Sequence, residues 1–142
     1  MWAIRGATTV SENTVEAMRE AVTELLDQLE KRNHLHPSDI ISVTFSVTRD
    51  LDAIFPAAIA RQRPHWDTVS MLDVQQMYVK GSLEYCIRFM IHAYLPVSTT
   101  VQHIYLREAA KLRPDWSMPP VSLQDSSMSL KAHHNQSEFV NF

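Results

Sequence analysis

The sequence predicts one mixed α/β domain over residues 1–116 followed by a flexible C-terminal tail over 117–142. Three observations carry this reading. Val15, Met18, Val22, Leu25, Leu26 and Leu29 recur at the spacing of an amphipathic helix. Ile41, Val43, Phe45 and Val47 alternate with Ser42, Thr44 and Ser46, the period of a strand with one buried face. From residue 117 the chain turns rich in Ser, Pro, His and Gln and loses any sustained period.

Taken in order, "MWAIRG" reads as a short strand ending at Gly6, and "ATTVSE" as a polar connection. Asn13, with Glu16 three residues on, suits the cap of the long helix, which Asn33 and Pro37 interrupt. "IISVTFSV" is the second strand. Its small, hydroxyl-rich face suits contact with a neighbouring subunit or element. Pro56 fits the first turn of a short helix, "PAAIARQR". "WDTVSMLD" is expected as a third strand. A second long helix is expected from Ser82, with Leu83, Cys86, Ile87, Met90 and Ile91 on one face and Arg88 at its margin. "VQHIYL" reads as a fourth strand and "REAAKL" as one or two helical turns.

At 142 residues, 45% apolar and 20% charged, the chain suits a single globular domain. No apolar run has the length of a membrane span, and Arg5 falls where a signal peptide needs its apolar core, so a cytoplasmic protein is expected. Cys86 is the only cysteine and is expected as a small core residue rather than a nucleophile. Thirteen Lys and Arg against sixteen Asp and Glu, with no basic stripe, argue against nucleic acid as a partner.

The chemistry narrows by exclusion. Gly6 and Gly81 are the only glycines, so no glycine-rich phosphate loop exists. No serine stands in a nucleophile elbow. His34 with His36, and His133 with His134, lack metal-ligand spacing and read as solvated pairs; no metal is expected. What remains is a set of arginines beside apolar residues: Arg5, Arg61, Arg88 and Arg113. A buried arginine needs a carboxylate or an anionic ligand, although each of these taken singly reads as a surface or ion-paired residue.

Four strings alter that balance: "IRGATTV" (4–10), "DLDAIFPAAIAR" (50–61), "CIRFM" (86–90) and "HIYLREAAKLRPD" (103–115). Together, in order and nearly in register, they resemble the trimeric, mixed α/β class of chorismate mutase. The resemblance implies a mixed sheet packed with two long helices, a homotrimeric pseudo-barrel and active sites between subunits. It also implies the Claisen rearrangement of chorismate to prephenate, toward phenylalanine and tyrosine, with no cofactor. By this resemblance Arg88 stabilises charge on the breaking ether oxygen, and Arg5 binds a carboxylate and reaches toward the same oxygen. Tyr105 donates its hydroxyl to a carboxylate. Phe55, Ala57 and Leu112 form an apolar wall from the adjacent subunit, Leu72 joins the lining, and Arg61 and Arg113 steer or close over the dianion.

The chain departs from the family pattern at three places. Ala58 stands where some members carry lysine, and Asp73 and Gln76 where better-known members carry cysteine and glutamate. Asp73 is the candidate replacement acceptor for the ring hydroxyl, with Gln76 a neutral companion; the bland alternative is that Asp73 caps a neighbouring element. Two other functions fit the same arginines: a trimeric small-anion binding module that has lost catalysis, and a purely structural interface protein.

Overall fold

The computed structural model describes residues 1–117, so all but the first residue of the expected tail, including His133 and His134, lies outside the described residues. Five strands form one sheet: β1 (Trp2–Thr9), β2 (Ile40–Val47), β3 (Ser70–Gln75), β4 (Cys86–Ala93) and β5 (Ile104–Tyr105). Their order is β3-β2-β4-β1-β5, with β4 antiparallel to both β1 and β2, β3 parallel to β2, and β5 parallel to β1. The long helix α1 (Val15–Asn33) joins β1 to β2, and the short α2 (Pro56–Arg61) lies on the crossover from β2 to β3. A 3-10 segment, Arg107–Leu112, and one turn of helix, α3 (Pro114–Ser117), close the described chain.

One face of the sheet is covered. Ile4, Val43, Phe45, Ile87, Phe89 and Ile91 form a single buried cluster with Met18, Val22, Leu25, Leu26 and Leu29 of α1, and burial of this apolar area is the main stabilising term. Close packing fixes Gly6: a Cβ there would overlap the Phe89 ring, its register partner on β4.

The mixed α/β class therefore holds, but the second long helix does not exist. Residues 86–93 are β4. Ile87, Phe89, Ile91 and Ala93 are buried while Arg88, Met90 and His92 are half-buried, which is the period of two. Ile87, Met90 and Ile91 also satisfy helical spacing, and a short apolar run carries both periods. Tertiary pairing with β1 and β2 decides between them.

Smaller differences have local causes. β1 runs on to Thr9, because Ala7, Thr8 and Thr9 continue the ladder with Arg88, Ile87 and Cys86. Thr14, not Asn13, caps α1, its Oγ accepting the Ala17 amide at 3.2 Å. Asn13 instead accepts the Asp52 and Ala53 amides and so ties down the loop before α2. β3 starts at Ser70 because Trp66 is buried, its indole N–H donating to Glu30 at 2.7 Å. The ladder of β2 slips between Ile40 and Ser42, and this bulge leaves Ile41 exposed despite its place in the alternation. "VQHIYL" narrows to the two-residue β5, and "REAAKL" forms a 3-10 rather than an α-helix.

Candidate active site

The register of the sheet assembles the site. Arg88 pairs with Ala7 on one side and Ser46 on the other, and Ala7 pairs in turn with Tyr105. Residues directly opposite one another share a face, so Ser46, Arg88, Ala7 and Tyr105 form one row on the face away from α1. The next row on that face holds Leu72, Thr44, Met90 and Arg5. Arg5, Arg88 and Tyr105, separated by 83 and 17 positions in the chain, are thus neighbours on one surface.

The site is lined by small residues and closed at one end. Ala7 is fully buried and Tyr105 is 6% exposed, packed with Ala109, Leu83, Leu112 and Trp116. Arg113 lies over the Trp116 ring at 3.3 Å, and its Nε and Nη2 donate to the two Asp115 oxygens at 3.1 and 2.8 Å. That paired hydrogen bond holds the Asp115 carboxyl below the usual carboxylate range.

Two polar atoms lie buried with no hydrogen-bond partner among the described residues in this part of the sheet: Arg88 Nε and Gln76 Oε1. Unpaired buried groups of this kind are costly and mark a place where a ligand or a partner chain completes the bonding. Gln76 is fixed by its own amide, which donates to Val47 O at 2.8 Å just past the end of β3. It borders a pocket of about 270 Å³ lined also by Thr48, Arg49, Tyr78 and Leu83, with the Arg49 guanidinium 3.6 Å from the Tyr78 ring centre. Cys86 follows the core reading: it is buried, and burial pushes its thiol up, an effect that the Arg88 guanidinium partly offsets.

A second group of expected site residues gathers elsewhere. Asp73 pairs in register with Phe45, whose side chain is in the core, so it lies on the face opposite to Arg88. Its Oδ1 accepts the Ala57 amide at 3.0 Å, anchoring the first turn of α2, the element that precedes it in sequence. Burial raises the Asp73 carboxyl above its usual range, offset by that amide and by the nearby Arg61 charge. Phe55, at the start of α2, is 70% exposed, and Leu72 on β3 is 60% exposed. From β3 to β5 there are four inter-strand steps, roughly 19 Å at ~4.8 Å each, so one chain does not bring the α2 group against Tyr105.

His103 escaped the sequence reading. Its Nδ1 accepts the Arg5 backbone amide at 3.0 Å and its ring stacks on Trp116 at 3.9 Å. The only available signal was its adjacency to "IYL", since its partner lies 98 positions away.

Comparison with known proteins agrees with this geometry. The family model for chorismate mutase type I matches residues 1–116. Chorismate mutase AroH of Bacillus subtilis (strain 168) is 38% identical over 116 residues, which cover 81% of this chain and 91% of that protein. Chorismate mutase AroH of Thermus thermophilus is 41% identical over 116 residues, covering 79% and 93%. The solved structure of chorismate mutase from Clostridium thermocellum superposes with a TM-score of 0.72 at 43% identity, covering 77% of this chain and 97% of that one. With its sheet, its arginines and its sequence in agreement, the chain belongs to the type I chorismate mutase family.

Proposed function

We propose that this protein rearranges chorismate to prephenate in a cleft completed by a second copy of the chain, with Arg88 as the principal charge donor. The observation that carries the reading is the shared row of Arg88, Ala7 and Tyr105 with Arg5 in the adjoining row. The reaction breaks one carbon–oxygen bond and forms one carbon–carbon bond within a single molecule. No proton moves and no covalent intermediate forms. Because the ether bond breaks ahead of bond formation, negative charge grows on the oxygen. A guanidinium fixed there binds the transition state better than the ground state, and only that difference accelerates the step.

Arg5 and Tyr105 hold the two substrate carboxylates, which fixes the folded conformer in which the reacting carbons meet. The buried, unpartnered Arg88 Nε and Gln76 Oε1 are the groups that the ligand and its pocket satisfy. Phe55, Ala57 and Arg61 serve the cleft of a neighbouring subunit, which accounts for their separation from Tyr105 within one chain. Asp73 holds the α2 turn that carries them, and as a carboxylate beside Arg61 it is also the candidate acceptor for the ring hydroxyl. Leu72 and Leu112 complete the apolar lining, and Arg113 steers the dianion from the opposite end.

A homotrimer is the assembly that suits this arrangement. The sheet face away from α1 carries Ser42, Thr44, Ser46, Met90 and His92, all half-buried and small or adaptable enough to meet another sheet. Among the described residues no helix is long and apolar enough to cross a membrane. The single, protonated Cys86 suits the reducing cytoplasm.

The test is loss of chorismate ultraviolet absorbance, with prephenate identified as the product, alongside light scattering of the same sample. Conversion by a particle of three chains is expected. Full activity in a monomer would sink the shared cleft, and ligand-dependent stabilisation without conversion would identify a binding module instead.

A further inference from the structure

We propose that His103 is a positioning residue that sets the place of Arg5, its Nδ1 accepting the Arg5 backbone amide while its ring carries Trp116. The proposal rests on the reading of Arg5 as a substrate-binding residue.

The pairing of β1 with β5 spans only two positions, Gly6 with Ile104 and Ala7 with Tyr105. Beyond them, on the side of Arg5, the backbone ladder stops. The Arg5 amide therefore has no carbonyl to bond, and the imidazole takes that place at 3.0 Å. A side-chain acceptor continues the sheet at the residue whose guanidinium must be aimed.

The imidazole is itself held from three directions. Asn33, the last residue of α1 and buried, clamps the preceding residue: its Nδ2 donates to Gln102 O at 2.9 Å, and its Oδ1 accepts the Gln102 amide at 2.8 Å. The ladder through Ile104 fixes the following one. Trp116 covers the ring, tilted by 32° with centroids 3.9 Å apart, and itself lies 5.6 Å from the Tyr105 ring. One side chain thus links Arg5, through its amide, to the aromatic packing around Tyr105.

Only an unprotonated Nδ1 can accept a hydrogen bond. The charged groups facing His103 are Arg5 from β1 and Arg113 and Asp115 from the C-terminal segment, while α1 presents the neutral Asn33. Burial, then the Arg113 and Arg5 charges, lower its pKa below the ordinary imidazole range, against a smaller opposing effect of Asp115. The ring is therefore neutral and accepting at neutral pH. Acidification through that lowered value replaces the acceptor with a second N–H donor and releases the Arg5 amide.

The experiment compares wild type with H103N, H103L and R5A in KM, kcat and pH profile, together with the Arg5 amide proton shift followed by NMR across the acid range. Asparagine offers an oxygen near the Nδ1 position, whereas leucine retains apolar bulk under Trp116 and offers no acceptor. H103L is expected to raise KM about tenfold with a smaller effect on kcat, and H103N to recover to within about threefold of wild type. Wild-type kcat/KM should fall on the acid side with the same midpoint as the Arg5 amide shift, and H103N should lose that limb. A melting temperature lowered in H103L with KM and pH profile unchanged would overturn the proposal, as would an Arg5 amide that does not titrate. If R5A itself leaves KM unchanged, the underlying reading of Arg5 falls; if R5A raises KM and H103L does not, only the role of His103 falls.

Discussion

Arg88 and Tyr105 stand on either side of Ala7 in a single row of the sheet, each the register neighbour of a fully buried methyl group. The methyl keeps the backbone covered while leaving space above it for a ligand reached from both sides. Replacing Arg88 by alanine removes the charged donor and is expected to lower kcat by 10²–10³ or more, on the order of 3–4 kcal/mol in barrier. R88K retains charge without the planar fork and should recover only part of this loss. Y105F, which removes a hydroxyl from a carboxylate contact, should act mainly on KM. Chorismate absorbance decay with each variant, after confirming an unchanged assembly, measures all three; equal kcat in R88A and wild type would remove Arg88 from the mechanism.

The residues of this row were legible in the sequence as motifs, but their geometry was not. α1 and β2 announce themselves by period, since each buries one continuous face against a single layer. β4 does not, because Ile87, Met90 and Ile91 fit a helix as well as Ile87, Phe89 and Ile91 fit a strand. Only pairing with β1 and β2, distant in sequence, removes the ambiguity. The string "CIRFM" therefore pointed to Arg88 correctly while its backbone was read as the wrong element. The bond between Asp73 and Ala57 spans 16 residues, and that between Arg5 and His103 spans 98, so neither leaves a local pattern to read.

Asp73 separates a substrate contact from a scaffold contact. Its raised carboxyl pKa means that the folded state binds the proton more tightly than the unfolded chain, so this group contributes most below the usual carboxylate range and its contribution is lost as pH rises through the raised value. D73N retains an oxygen for the Ala57 amide and never ionises. Its stability relative to wild type should therefore improve as pH rises from about 3 to 7. D73A, which leaves that amide without its acceptor, should cost about 1–2 kcal/mol. Thermal melts across pH give these values, and KM decides the second role: a rise of equal size in D73N and D73A would make the carboxylate itself a substrate contact.

Gly6 is set by its partner rather than by its backbone. With the Phe89 ring filling the space where a Cβ would stand, G6A overpacks the core and should destabilise the fold by about 1–3 kcal/mol. Trimming the ring in a G6A/F89L double variant should cost less than the sum of the two single changes, because the added methyl enters the space the ring leaves. Denaturant midpoints of the four proteins test this; strict additivity would show that the two positions do not compete for one volume.

Arg107 holds the chain where it leaves β5, immediately after the site, and does so in a conformation that L residues avoid. Its φ is +53°, in the left-handed region. The guanidinium donates to Thr9 O at 3.2 Å and to Glu24 at 3.3 and 3.5 Å, so the side chain ties the turn to the end of β1 and to α1. Its ion pairs with exposed glutamates are individually weak, and the carbonyl contact carries more of the restraint. R107A keeps the backbone strain and loses the contacts, while R107G loses the contacts but relieves the strain, so R107A should be the less stable of the two by about 1 kcal/mol. In both, the 3-10 segment bearing Leu112 and the following Arg113 loses an anchor, and KM should rise more than kcat falls. Melting temperatures and steady-state kinetics of the pair decide it: an R107G protein less stable than R107A would show that the left-handed turn is not strained, and an unchanged KM in both would show that the site holds its shape without this anchor.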